Sequence, residues 1–139
     1  MNKYLREIEI HLSNHFGREA AFQFAMDAKE LSDYIYKTFK TNVTGNFGKI
    51  IIKLCSKEVL EKWSSPKYID DEMSGVLIVE IPFEYDNYAS ASNENKKAIV
   101  SRIMQEEVAG LPENSSIDLE KALEYLKNAL TETGYKLKN

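Results

Sequence analysis

Cysteine is nearly absent from this sequence, and so are long hydrophobic runs. A single cysteine, Cys55, occurs among 139 residues, which excludes an internal disulfide and gives no sign of an oxidising compartment. No run approaches the roughly 18 consecutive apolar residues that a transmembrane helix needs. The first nine residues interrupt their apolar side chains with charges and lack a secretory hydrophobic region. We therefore expect a cytoplasmic protein that does not bind membranes.

Motifs for catalysis and phosphate binding are also missing. There is no Gly-x-Ser-x-Gly elbow, and Gly45-Asn-Phe-Gly48 lacks the third glycine and the Lys-Ser/Thr ending of a phosphate cradle. His11 and His15 are four residues apart, but the stretch His-Leu-Ser-Asn-His lacks the glutamate of the zinc-protease motif. Cys55 would need an activating partner to act as a nucleophile. We predict no catalytic residues, no metal site and no cofactor.

Basic residues are outnumbered, 18 against 22 acidic ones, and the net charge is −4. A nucleic-acid-binding protein needs a basic surface, so the balance argues against that class. The apolar fraction of 43% and the charged fraction of 29% are ordinary for a globular protein. The length predicts one domain, residues 1–139, that is large enough to bury a core without disulfides.

The segment 75–88 gives the clearest structural signal. Its odd positions from Leu77 to Tyr85 are all apolar, and its even positions change from apolar to acidic, which predicts a long strand with one buried face. Pro82 cannot donate a hydrogen bond to a neighbouring strand. The strand should therefore lie at a sheet edge, or be only partly paired near that residue.

The other elements follow from periodicity. Alternation over 4–12 favours a strand, although a helix also fits, and 47–55 predicts a second strand. Helical spacing predicts helices over 18–39 and 94–109 and from residue 119 onward. Residues 58–63 fit a short strand or one helical turn that Ser64-Ser-Pro66 would end, and 67–74 resemble an exposed loop. We expect an α+β fold: a three- to five-stranded, mostly antiparallel sheet with one long N-terminal helix and a C-terminal helical hairpin packed on one face.

Acidic residues are concentrated between Glu58 and Glu94. Nine acidic residues there face two lysines, a net charge of −7, and aromatic side chains are interleaved among them. Rings can anchor a protein interface and a negative field steers a basic partner, so this region is the predicted partner-binding surface. A solvated acidic loop whose rings pack on the core fits the pattern about equally well. The predicted contact residues are Asp70, Asp71, Glu72, Glu84, Tyr85, Asp86 and Tyr88, with Trp63 and Tyr68 as second choices.

Residues 75–130 resemble small acidic bacterial immunity proteins that neutralise polymorphic toxins, including those of contact-dependent growth inhibition. The resemblance lies in a strand that ends Phe-Glu-Tyr-Asp-Asn-Tyr, a lysine-containing helix, Gly-Leu-Pro, and a C-terminal helix that begins Asp-Leu-Glu-Lys-Ala-Leu. It covers less than half of the chain. It implies a toxin-binding inhibitor without catalysis of its own, and it transfers no specific residue.

The leading hypothesis is therefore a non-catalytic binding protein, most specifically an immunity protein that occludes the active site of a basic toxin domain such as a nuclease. In solution it would be a monomer or a weak homodimer. One alternative is a homo-oligomeric structural or adaptor protein that pairs through an edge strand or an open sheet face. A small metal-dependent enzyme that uses His11 and His15 is a third possibility.

Overall fold

The computed structural model describes residues 3–58, 67–71, 75–112 and 115–135, and for 67–71 the description covers the backbone. Two strands and a long helix come first: β1 Glu7–Leu12, α1 Arg18–Phe39 and β2 Lys49–Cys55. A strand pair follows, β3 Lys67–Asp71 and β4 Val76–Pro82. The chain then continues through α2 Tyr85–Ala89, α3 Asn93–Ala109 and α4 Leu119–Glu132. The α+β class is confirmed.

The predicted antiparallel character of the sheet is wrong. The strand order is β1-β2-β4-β3; β1 and β2 pair in parallel, β2 and β4 pair in parallel, and β3 alone is antiparallel to its neighbour. The reason is the helix between β1 and β2. A connection of that length crosses the sheet and returns the chain to the same end, so the second strand runs in the same direction as the first.

Side-chain alternation directs one face of the sheet into the core. Ile8 and Ile10 of β1, Ile50 and Ile52 of β2, and Leu77 and Val79 of β4 are at most 2% exposed. The opposite face carries charges in register, because Glu7 pairs with Lys49 and Lys53 pairs with Glu80. The ammonium of Lys49 lies 2.9 Å from the carboxylate of Glu9, and this hydrogen bond raises the pKa of Lys49.

The helices close the core from one side. α1 contacts β1, α3 and α4, and its buried stripe comprises Phe24, Ala28, Leu31, Ile35 and Phe39. Ser92 caps the N-terminus of α3, and its side chain accepts a hydrogen bond from the N–H of Asn95. Asp118 caps α4 in the same way, and the helix ends before Gly134, whose φ of +79° suits glycine.

Two further corrections concern 67–89. Residues 67–71, expected in a loop, form the edge strand β3, and the strand expected over 75–88 ends at Pro82. The described pairs between β3 and β4 run from Lys67–Glu80 to Asp71–Val76, so Pro82 lies beyond them. On the other side of β4, the N–H of Phe83 donates to the carbonyl of Cys55 at 2.8 Å. The chain then turns into α2, which contains the residues expected at the end of the strand.

Candidate binding surface

The carboxyl ends of β1, β2 and β4 meet at one edge of the sheet because the three strands are parallel. In open sheets of this kind, ligands bind outside the carboxyl ends of the strands. The segments that leave these ends bring together His15 and Phe16 after β1 and Glu84, Tyr85 and Asp86 after β4. We call these five residues the carboxyl-end surface.

Aromatic rings form a continuous row across this surface. The ring centroids of His15 and Phe16 are 4.4 Å apart, those of Phe16 and Tyr85 are 5.6 Å apart, and those of Tyr85 and Tyr88 are 6.4 Å apart. Phe16 follows β1 and Tyr85 follows β4, although β2 lies between these strands. The row therefore spans the end of β2. His15 is exposed, Phe16 and Tyr85 are half-buried, and Tyr88 is 3% exposed.

Two acidic side chains border the row. Glu84 and Asp86 are exposed, and the carboxylate of Glu84 accepts a hydrogen bond from the side-chain amide of Asn87 at 2.9 Å. Half-buried rings beside exposed carboxylates offer apolar contact area and negative charge together. That combination suits a basic protein partner better than a neutral small molecule.

His15 is held by two hydrogen bonds within the chain. Its Nε2 accepts from the backbone N–H of Ser56 at 2.9 Å, and its Nδ1 lies 2.6 Å from the hydroxyl of Ser13. Because a backbone N–H can only donate, the neutral ring carries its proton on Nδ1 and donates it to Ser13. To act as a general base toward Ser13, His15 would need an unprotonated nitrogen facing the Ser13 hydroxyl. The lone pair of His15 is on Nε2 instead, where it accepts from Ser56.

The predicted contact residues fall into separate groups. The backbone of Asp70 and Asp71 lies at the end of β3, opposite Leu77 and Val76, whereas Glu84 and Asp86 follow the other end of β4. The seven residues of β4 span about 20 Å. Glu72 and Trp63 lie outside the described residues, and the side chain of Tyr68 is not part of the description. A protein-sized interface can reach both groups, but a small ligand cannot.

Tyr88 belongs to the core rather than to the surface. Its ring packs against Phe24 and Phe83 with centroid distances of 5.0 Å and 5.9 Å, and its hydroxyl donates to the carboxylate of Asp27 at 2.7 Å. Burial and the neighbouring Asp27 raise the pKa of the phenol. Tyr88 can therefore support Tyr85 from beneath, but it offers little area to a partner.

His15 and Phe16 were not expected to join the surface. Their place in a turn after β1 gives no sign of it, because the contact with Tyr85 depends on the strand order. Had the parallel direction of β1 and β4 been predicted, His15, Phe16 and Tyr85 would have been expected at one edge of the sheet.

A comparison with models of protein families, with curated proteins and with solved structures found no match. Among the described residues, no three histidine, cysteine or carboxylate side chains are grouped as a metal site would require. In the same part of the chain, no helix is both long enough and apolar enough to cross a membrane.

Proposed function

We propose that the protein is a non-catalytic binding protein and that its carboxyl-end surface docks a basic protein domain. The observation that supports this is the row of rings from His15 to Tyr85, bordered by the exposed carboxylates of Glu84 and Asp86. The hydrogen bonds of His15 favour binding over catalysis, since both ring nitrogens hold the turn in place.

The more specific proposal is an immunity protein that occludes the active site of a toxin domain. Nucleases that act on polyanions present basic grooves, and a carboxylate-rich surface can occupy such a groove in place of phosphate. The resemblance of residues 75–130 to immunity proteins points to this class. Asp70 and Asp71 on the edge strand would extend the contact along β3.

The test begins with the genes that flank this one. We expect one of them to encode a large protein with a variable, basic C-terminal domain. That domain should bind this protein, and the complex should no longer be toxic. The double variant Glu84→Lys/Asp86→Lys should weaken the complex about tenfold or more and flatten its salt dependence, because the surface charge changes sign.

A matched control is the double variant Glu120→Lys/Glu124→Lys on α4. Both side chains are exposed, and the net charge changes by the same amount. The control complex should keep its affinity and its salt dependence. Equal effects of the two double variants would show that net charge alone matters, and the proposed surface would then be wrong.

A homo-oligomeric role is the second candidate, and one observation favours it. Phe22, Met26 and Tyr36 are 67%, 50% and 57% exposed, and they lie on one face of α1, within about 80° of one another around the helix axis. β1, which α1 covers, is an edge strand of the described sheet. Sedimentation in dilute solution separates the candidates: a tight dimer that Phe22→Glu dissociates supports the oligomer, and a monomer supports the inhibitor.

A further inference from the structure

A cleft of about 510 Å³ lies at the opposite end of β1 from the carboxyl-end surface. The described residues that line it are Arg6, Tyr36, Lys37 and Lys40, and we call it the basic cleft. Arg6 immediately precedes β1, and its backbone N–H donates to the carbonyl of Gly48 at 2.9 Å. Tyr36 and Lys37 occupy the last turn of α1, and Lys40 follows that helix.

Three cations around one cleft are unexpected in a protein whose net charge is −4. The ion pairs of the described residues join Glu9 to His11 and Lys49, and Lys29 to Asp33, so none of them involves Arg6, Lys37 or Lys40. All three side chains are exposed, and a bound anion would reduce the repulsion between their like charges.

The backbone at Lys40 is strained. Its φ of 38° and ψ of −114° lie outside the regions that residues with a side chain readily adopt. Such outliers cost free energy, and they are concentrated at binding and catalytic sites. Glycine would adopt this conformation without strain, so a lysine at this position supports a binding role for its ammonium group.

The lining indicates the chemistry of the ligand. The guanidinium of Arg6 can form two parallel hydrogen bonds to one phosphate, and the two lysines add positive charge without a fixed geometry. Tyr36, which is 57% exposed, offers a ring face for stacking. The volume lies within the range of small-molecule sites. We propose that the basic cleft binds a nucleotide with at least two phosphates, which side chains hold in place of a glycine-rich loop.

Calorimetric titration with ADP, pyrophosphate and adenosine tests this proposal. ADP should bind more tightly than either fragment. The double variant Arg6→Gln/Lys40→Gln should weaken ADP binding about tenfold or more, because two charge-assisted contacts are lost. Tyr36→Ala should weaken ADP binding and leave pyrophosphate binding unchanged. Circular dichroism should show that each variant is folded.

The matched control is Lys121→Gln/Lys127→Gln, which removes two positive charges from exposed positions on α4. It should leave ADP binding unchanged. The titration involves no protein partner, so this proposal can fail independently of the proposed function. The absence of ADP binding at millimolar concentration would overturn the proposal. Equal affinities for pyrophosphate and ADP would overturn it in favour of a bare phosphate site, and tighter binding of a short single-stranded oligonucleotide would overturn it in favour of nucleic acid.

Discussion

The hydroxyl of Tyr88 donates a hydrogen bond to the carboxylate of Asp27 over 2.7 Å, and this contact joins α2 to α1 across 61 positions of sequence. The hydroxyl of Tyr135 donates to the backbone carbonyl of the same aspartate. A single position on α1, Asp27, thus contacts both α2, which begins with Tyr85, and the segment that follows α4. The carboxyl-end surface is therefore coupled to the C-terminal part of the fold.

We expect Tyr88→Phe to lower the free energy of unfolding by about 1.5–3 kcal/mol, since a half-buried carboxylate would lose its donor. Urea denaturation measures the change. Tyr36→Phe is the control, because it removes a hydroxyl from an exposed ring and should change stability by less than about 0.5 kcal/mol. Equal stability of the two variants would show that the Asp27 contact contributes nothing.

Tyr88 and Tyr135, which are buried, should titrate late. Burial, with Glu30 and Asp27 nearby, raises the pKa of Tyr135 from 10.0 to about 12, and the pKa of Tyr88 is also raised. The folded state holds these protons more tightly than the unfolded state does. The contribution of Tyr135 to stability is complete below pH 10 and is lost as the pH rises toward 12, and the contribution of Tyr88 declines from the same pH upward.

Phenolate absorbance should accordingly show a late fraction among the eight tyrosines of the folded protein, and denaturant should abolish it. Tyr135→Phe should reduce the loss of stability between pH 10 and 12 by about 2–3 kcal/mol. If that variant followed the pH dependence of the native protein, the phenol would not be linked to folding.

Cys55 should be unreactive in the folded protein. The residue is 2% exposed, and both burial and the charge of Glu80 raise the pKa of its thiol, whose sulfur lies 3.7 Å from the Glu80 carboxylate. The thiolate is the reactive form, so a disulfide reagent should react far more slowly in buffer than in urea. Glu80→Gln should increase the rate in buffer only modestly, because the sulfur remains buried. Similar rates in buffer and urea would contradict the buried position.

Gly45 should not tolerate a side chain. A Cβ at this buried position would lie 2.7 Å from Cγ1 of Ile117, well inside van der Waals contact. Gly45→Ala should therefore destabilise the fold by about 1–3 kcal/mol. Gly48→Ala is the control, since its Cβ would meet the carbonyl oxygens of Tyr4 at 3.8 Å and of Gly75 at 4.0 Å, which are ordinary van der Waals distances. Thermal unfolding of the two variants should rank them in that order.

Lys40→Gly should stabilise the fold by about 1 kcal/mol, because glycine adopts a positive φ without steric cost. Lys37→Gly, inside α1, should instead destabilise it by about 1 kcal/mol. The same denaturation experiment measures both changes. A loss of stability in Lys40→Gly would show that the backbone there is not strained.

Periodicity predicts the long elements of this fold well. The predicted helix over 18–39 coincides with α1, and α3 begins one residue before its predicted start, because apolar spacing and capping residues act locally. The end of β4 was not predictable in this way. Phe83 and Tyr85 continue the alternation beyond Pro82, but Tyr85–Ala89 form a helix, which the contacts of Tyr88 with Asp27 and Phe24 hold against α1.

Strand direction and the composition of the site depend on contacts that are distant in sequence. The order of a strand, a long helix and a strand already favours a parallel pair, so the expected antiparallel sheet contradicted a signal that the sequence contains. β3 contains Asp70 and Asp71, which are unfavourable in strands, yet pairing with β4 overrides that preference. Glu84, Tyr85 and Asp86 could be proposed from composition, but the contribution of His15 and Phe16 could not.

The central position of β2 has a kinetic consequence. Each of its neighbours is remote along the chain, since Glu7 pairs with Lys49 and Lys49 pairs with Val76. Closing such long loops costs entropy before any pairing energy is gained, so folding should take about milliseconds to seconds rather than microseconds. During synthesis, β1 and α1 leave the ribosome without a partner strand, and the sheet can begin to form only when β2 has followed them.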